Sequence, residues 1–222
     1  MKTTLIVILL IGGVFAISLV GIARDVAISE IAWAGSAGDP TAEWIELYNT
    51  TDSAVNLSGW RLVSSDGAPD TALGGSIAPH GYLVLYRATA KNKKVEGRIY
   101  YSGALRDGGE SLRLLDPAGN EVDSANRQGG AWPAGSAGNP PRTMERINEN
   151  GTDNAGNWAS ARNLSNDGQF YGTPGARNSV SYTPPQATFS FAPNPAHPGE
   201  PVLFTANASL DARTKIAAYA WD

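Results

Sequence analysis

The sequence predicts an all-β protein, a sandwich or barrel of short strands. Three observations carry that expectation. Apolar residues recur with period two in short runs rich in β-branched and aromatic side chains. Turn-formers separate those runs, with 25 Gly and 14 Pro in 222 residues. No stretch of helical length places apolar residues three and four apart between capping residues.

The first strand is expected over residues 26–31, VAISEI. A second, over 43–48, puts Trp44, Glu46 and Tyr48 on one face and Glu43, Ile45 and Leu47 on the other. Asn49, Thr50, Thr51, Asp52 and Ser53 then supply side chains that bond their own backbone and favour turns. Gly59 precedes a further apolar run over 60–64, so residues 43–60 read as strand, polar turn and strand, a hairpin. A strongly apolar strand follows at 82–86, introduced by Ala78-Pro79-His80-Gly81. Strands at 111–115 and 120–123 flank Asp116-Pro117-Ala118-Gly119, with proline where φ is preset and glycine where φ turns positive. Residues 142–146 form the last strand expected in this region.

Net charge is −4 and the isoelectric point about 5.2, which gives the whole chain no general attraction to nucleic acid or an anionic membrane. Cysteine is absent, which excludes disulfides, thiolate metal sites and cysteine nucleophiles. The N-terminus sets the expected compartment. Lys2 precedes an apolar stretch over 5–16, and Gly21-Ile22-Ala23 supplies a small-x-small pattern before Arg24. Residues 1–23 are therefore expected to be a signal peptide cut between Ala23 and Arg24; the alternative is an uncleaved membrane anchor. Either way the rest of the chain is expected to be secreted or held at the cell surface, touching membrane only through that segment.

The words EWIELYN at 43–49 and LSGW at 57–60 resemble the core signature of the lamin-tail domain family. ISEI at 28–31, GYLVL at 81–85, GESLRL at 109–114, Val122-Asp123, Trp158 and GTPGARN at 172–178 extend the resemblance in order over residues 26–178. It implies an immunoglobulin-like β-sandwich and a non-catalytic module, of the kind that occurs in exported prokaryotic multidomain proteins. After a proline-bearing linker at 179–186, residues 187–222 resemble the first part of a PKD domain, a second immunoglobulin-like sandwich, through the alternating 188–193 run and Tyr219-Ala220-Trp221-Asp222. The turn Asp211-Ala212-Arg213-Thr214-Lys215 departs from that family's pattern. The expected organisation is 1–23 leader, 24–178 lamin-tail-like sandwich, 179–186 linker and 187–222 partial, incomplete PKD-like domain.

Candidate chemistry is sparse. His80 and His197 lie beside prolines in turn-like sequence without a nucleophile nearby. Ser36 and Ser136 sit in two similar words, WAGSAGDP at 33–40 and WPAGSAGNP at 132–140, neither of them a nucleophile elbow. Trp33 and Trp132 are expected to pack against the core; exposed, they would offer a stacking platform for sugar. Glu30, Glu43 and Glu46 lie on consecutive strands, where two carboxylates could meet, but burial under a hydrogen-bonding loop or plain exposure is the more frequent outcome. Asn163, Ser165, Asp167 and Gly168 partly imitate a calcium loop, with Pro174 where the bidentate Glu belongs. No cofactor is expected, with calcium the metal the ligand types would suit. The basic run of Arg87, Lys91, Lys93, Lys94 and Arg98 reads as a solvated loop rather than a DNA contact. Asn49-Thr50-Thr51 and Asn207-Ala208-Ser209 are sequons.

The expected function is therefore a non-catalytic extracellular binding, adhesion or spacer module of a secreted or surface protein, with a protein or glycan ligand and no nucleic acid. The alternative is an accessory domain of a secreted hydrolase or nuclease whose catalytic domain lies outside this chain. No catalytic, cofactor-binding or metal-ligating residue is assigned.

Overall fold

The computed structural model describes residues 24–89, 98–181 and 186–209. The leader up to Ala23, the lysines of the basic run, part of the linker and the turn and strand expected after residue 209 lie outside the described residues.

The chain forms β1 (Val26–Ala32), β2 (Trp44–Asn49), β3 (Val55–Asn56), β4 (Arg61–Ser64), β5 (Asp70–Ala72), β6 (Ser76–Ile77), β7 (Tyr82–Arg87), β8 (Ile99–Tyr101), β9 (Leu112–Leu115), β10 (Glu121–Ala125), β11 (Met144–Arg146) and β12 (Trp158–Ser160). A hairpin, β13 (Gln186–Ala192) with β14 (Leu203–Ser209), follows. A short 3-10 turn at residues 155–157 is the only helical element among the described residues.

Two sheets face each other. One has six strands in the order β12-β11-β1-β2-β7-β8, antiparallel except where β8 joins β7. The other has four, in the order β10-β9-β4-β5. Their inner faces close over one apolar core: Ile28, Ile31, Ile45, Leu47 and Leu85 from the first sheet against Leu62, Leu112 and Leu114 from the second, all fully buried. Each such side chain contributes about 1.5–3 kcal/mol through removal from water, so this alternation of inward residues holds the two sheets together.

The run over 43–60 is not a hairpin. β2 pairs with β1 and β7 in the six-stranded sheet, whereas β4 pairs with β5 and β9 in the other. The intervening chain arches across the end of the sandwich, where β3 makes a two-residue ladder with β6 and Leu57 is buried. The arch is pinned by Asn49, whose amide donates to the carbonyls of Ser53 (2.7 Å), Ile77 (3.1 Å) and Ala78 (2.9 Å) while its oxygen accepts from Thr51 N (2.9 Å). Both ends of the run bury apolar residues in the same core, but from opposite sides, which a local reading of strand-turn-strand does not distinguish.

β1 carries a bulge. Ile28 pairs with Leu47 and Glu30 with Glu46, so Ser29 has no opposite number. The extra residue resets the alternation: Val26 and Ile28 face the core before it, and Ile31 after it. Glu30 is thereby turned to the outer face.

In the β13–β14 hairpin, Phe191 and Phe204 are register partners with ring centroids 5.9 Å apart. Phe189, Phe191, Leu203 and Phe204 are exposed.

Candidate functional site

The bulge places three glutamates in one row on the outer face of the six-stranded sheet. Glu30 on β1 is the register partner of both Glu145 on β11 and Glu46 on β2. An outer sheet face would ordinarily leave such side chains in water. Here all three are 0% exposed, because residues 172–181 run over them as a strap and spend their donors on the carboxylates.

Thr173 is the centre of that contact. Its backbone N–H donates to Glu30 Oε1 (3.0 Å), and its hydroxyl lies 3.1 Å from Glu30 Oε2 and 2.9 Å from Glu145 Oε1. Ser179 Oγ (2.6 Å) and Val180 N (3.1 Å) donate to Glu145 Oε2. Gly175 N donates to Glu46 Oε2 (2.5 Å), and Ser29 Oγ, the bulged residue, donates to Glu46 Oε1 (2.7 Å). Thr143 Oγ1 donates to Glu30 from below. Asn178, also buried, donates its amide to the carbonyls of Ser29 (2.9 Å) and Arg146 (3.0 Å). Gly172 has to be glycine for steric reasons: a Cβ there would stand 2.7 Å from Glu30 Oε1 and 2.9 Å from Thr143 Cγ2.

Burial dominates the electrostatics of the row. Desolvation pushes the Glu30 carboxyl well above the usual carboxylate range, reinforced by the neighbouring Glu145 and Glu46, with the Thr143 and Thr173 hydrogen bonds opposing it. Glu46 is raised to about 8, again mainly by desolvation, against the Gly175 and Ser29 bonds. Crowding and burial thus favour the neutral acid at Glu30 and Glu46. An acid-base pair for hydrolysis needs a cleft and a path for water between its carboxyls; the strap fills that space with its own backbone.

The other sequence candidates fall elsewhere. Glu43 is buried at the start of β2, where Arg87 Nη1 (2.7 Å) and Leu105 N (2.8 Å) donate to it; burial raises its carboxyl to about 7 despite both. His80 is exposed, with Nε2 2.8 Å from Asp52 Oδ1 and Nδ1 3.2 Å from the Tyr48 hydroxyl. His197 is exposed. Arg24 reaches a second internal cluster: it pairs with Asp123, as does the fully buried Arg146 (Nη2 to Oδ2, 2.8 Å). Arg146 also donates to the carbonyls of Ile28 and Ser124 at 2.7 Å and stacks on Trp158 at 4.4 Å, tying β11 to β10 across the sandwich. Asn49 is fully buried, so its sequon is closed in the folded chain. Ser165 and Asp167 close a turn on one another at 2.6 Å. Among the described residues no group of three or more His, Cys, Asp or Glu is arranged to hold a metal ion, and no helix is long and apolar enough to cross a membrane.

The two similar words do meet. Trp33 and Trp132 are buried, with indole N–H groups donating to Ala134 O (3.0 Å) and Arg106 O (2.7 Å). Gly135, at φ +88°, lies against the Trp33 indole so closely that a Cβ would fall 2.4 Å from Nε1. Ser36, Gly38 and Pro40 form one lip, and Ala137, Gly138 and Asn139 the other, of a concavity of about 300 Å3. On the other side of Ser36, a second concavity of about 400 Å3 opens over Trp44, Tyr86 and Phe170.

Sequence reasoning named Glu30 and Glu46 but passed over Glu145, Thr173 and Asn178 as partners. The signal for Glu145 was its place in a strand; which face it occupied depended on pairing with the bulged β1. Seven expected strands correspond to β1, β2, β4, β7, β9, β10 and β11. β3, β5, β6, β8 and β12, each of two or three residues, are too short for period two to show.

No curated protein sequence matches the chain. A family model does: residues 22–129 match the Lamin Tail Domain, a range that takes in β1 to β10 and stops before β11, β12 and the strap. Over those residues the chain is similar to the Lamin Tail Domain family, an immunoglobulin-like and non-catalytic domain, and its all-β sandwich of two facing sheets is the fold that family implies.

Proposed function

We propose that this chain is an extracellular, non-catalytic binding or adhesion module, exported by residues 1–23 and continuing after the linker into a PKD-like second sandwich. The leader acts as a signal peptide of a secreted or surface protein, cut between Ala23 and Arg24. The partner is a protein or glycan of the cell surface, met through loops rather than through a metal or cofactor. One observation carries this reading: the glutamates that could have served as an acid-base pair are sealed by the strap and spent on holding it, while the loops beside them leave concavities open to solvent.

Labelled mature chain, beginning at Arg24, is incubated with cell-wall and extracellular-matrix fractions from a bacterial culture. Saturable retention is expected, unaffected by chelator. Absence of retention on every fraction would overturn the reading, as would hydrolysis of any component by the purified chain.

A further inference from the structure

The concavity over Trp44 has a lining unlike the rest of the surface. Trp44 and Tyr86 are register partners on β2 and β7, so both stand on the outer face, just past the end of the glutamate row. Phe170 packs edge-on against Trp44, at 5.9 Å between centroids and 66° between planes. The floor is therefore aromatic and rigid: Trp44 is 5% exposed, locked between sheet and loop. Polar groups stand round it. Arg98 lies with its guanidinium 4.5 Å over the Tyr86 ring, a cation–π contact that anchors the fork at the rim. Asp167 and Gln169 rise from the opposite loop. Hydrogen bonds from Ser165 and from the Gln169 backbone hold Asp167 below the ordinary carboxylate range, so it stays an ionised acceptor. Among the described residues, neither the Arg98 guanidinium nor Asp167 Oδ2 has a hydrogen-bond partner.

We propose that this concavity is a glycan subsite that takes a neutral pyranose unit, resting on the earlier reading of the chain as a binding module. A pyranose offers an apolar face of C–H groups and a rim of hydroxyls, each both donor and acceptor. The site is built in the same way: the half-buried Phe170 ring, backed by Trp44, for the C–H face, a carboxylate to accept from hydroxyls, and a guanidinium and an amide to donate to them. Arg98 and Asp167 oppose one another on the rim, and the third ionisable group of the lining, Glu43, is already bonded to Arg87 and Leu105 N, so no surplus of positive charge favours an acidic ligand. The volume, about 400 Å3, is within the range of small-molecule sites. The strap sets the site's edge, since Pro174 lines it one residue after Thr173 binds Glu30. The glutamate clasp thus acts as a positioning device for the site.

The test uses the mature chain and a panel of neutral gluco-, manno-, galacto- and N-acetylated gluco-oligosaccharides. Binding is followed by tryptophan fluorescence and calorimetry. At least one member is expected to bind saturably, with Phe170→Ala, Tyr86→Ala and Asp167→Asn each weakening it about tenfold or more. Tyr82→Ala, at the far end of β7, should leave it unchanged. Thermal melts establish that each variant is folded; an unfolded Tyr86→Ala is replaced by Arg98→Gln. No binding of any sugar at millimolar concentration, or binding indifferent to Phe170→Ala and Asp167→Asn, would overturn the proposal. If surface fractions still retain the chain, and no oligosaccharide competes, the site fails while the binding-module reading survives. If nothing retains it, both fail.

Discussion

Glu30 and Glu46 stand directly opposite one another on adjacent strands, both fully buried and both held by the same strap. Like charges so placed repel, and burial penalises each charge further. The fold tolerates the pair by keeping protons on it, which makes stability depend on pH.

The sign follows from the direction of the shift. Glu46 is raised from 4.5 to about 8 and Glu43 from 4.5 to about 7. Below about pH 4.5 both states bind the proton and the contribution is whole; as pH rises the unfolded chain gives up protons that the fold keeps, and stability falls until about pH 8. Melting temperature is expected to be highest in mild acid and to decline from pH 5 to 8. Glu46→Gln mimics the neutral acid, so it should flatten that decline, matching the parent at pH 5 and exceeding it at pH 8. A parent profile that rises over this window would contradict the assignment.

Thr173→Val removes a hydroxyl shared by Glu30 and Glu145. A cost of about 1–3 kcal/mol is expected in urea denaturation. Because the hydroxyl and Glu145 act in one network, Thr173→Val combined with Glu145→Gln should cost less than the sum of the two singles.

Gly172→Ala forces a Cβ against Glu30 and Thr143. Overpacking of this kind costs about 1–3 kcal/mol, and here it lifts the strap. Limited proteolysis should show cleavage within 172–181 before the sandwich itself is cut.

Arg146→Met leaves Asp123 buried with one of its two arginines gone. Breaking a buried pair from one side costs about 3–5 kcal/mol. Adding Asp123→Asn to the same chain should recover part of the loss, because the uncompensated charge goes with it.

Tyr101→Phe should act in the opposite direction. Tyr101 is 1% exposed, and its hydroxyl has no hydrogen-bond partner among the described residues. Removing an unsatisfied buried hydroxyl is expected to be neutral or to stabilise by about 1 kcal/mol in the same denaturation measurement.

What the sequence determined by itself was the class of fold and the positions of the longer strands. Period-two runs such as WIELY and YLVLY send alternate residues to opposite faces whatever they pair with, and turn residues mark their ends locally. The tertiary structure alone decided which sheet each strand joined. It separated β2 from β4, seated Trp33 beside Gly135, and brought Thr173 onto Glu30 across 143 positions of chain. It also decided which way Glu30 and Glu145 point, because one extra residue at Ser29 reverses the face of all that follows it on β1. Burial and pairing belong to residues far apart in the chain, and the local pattern of side chains holds no record of them.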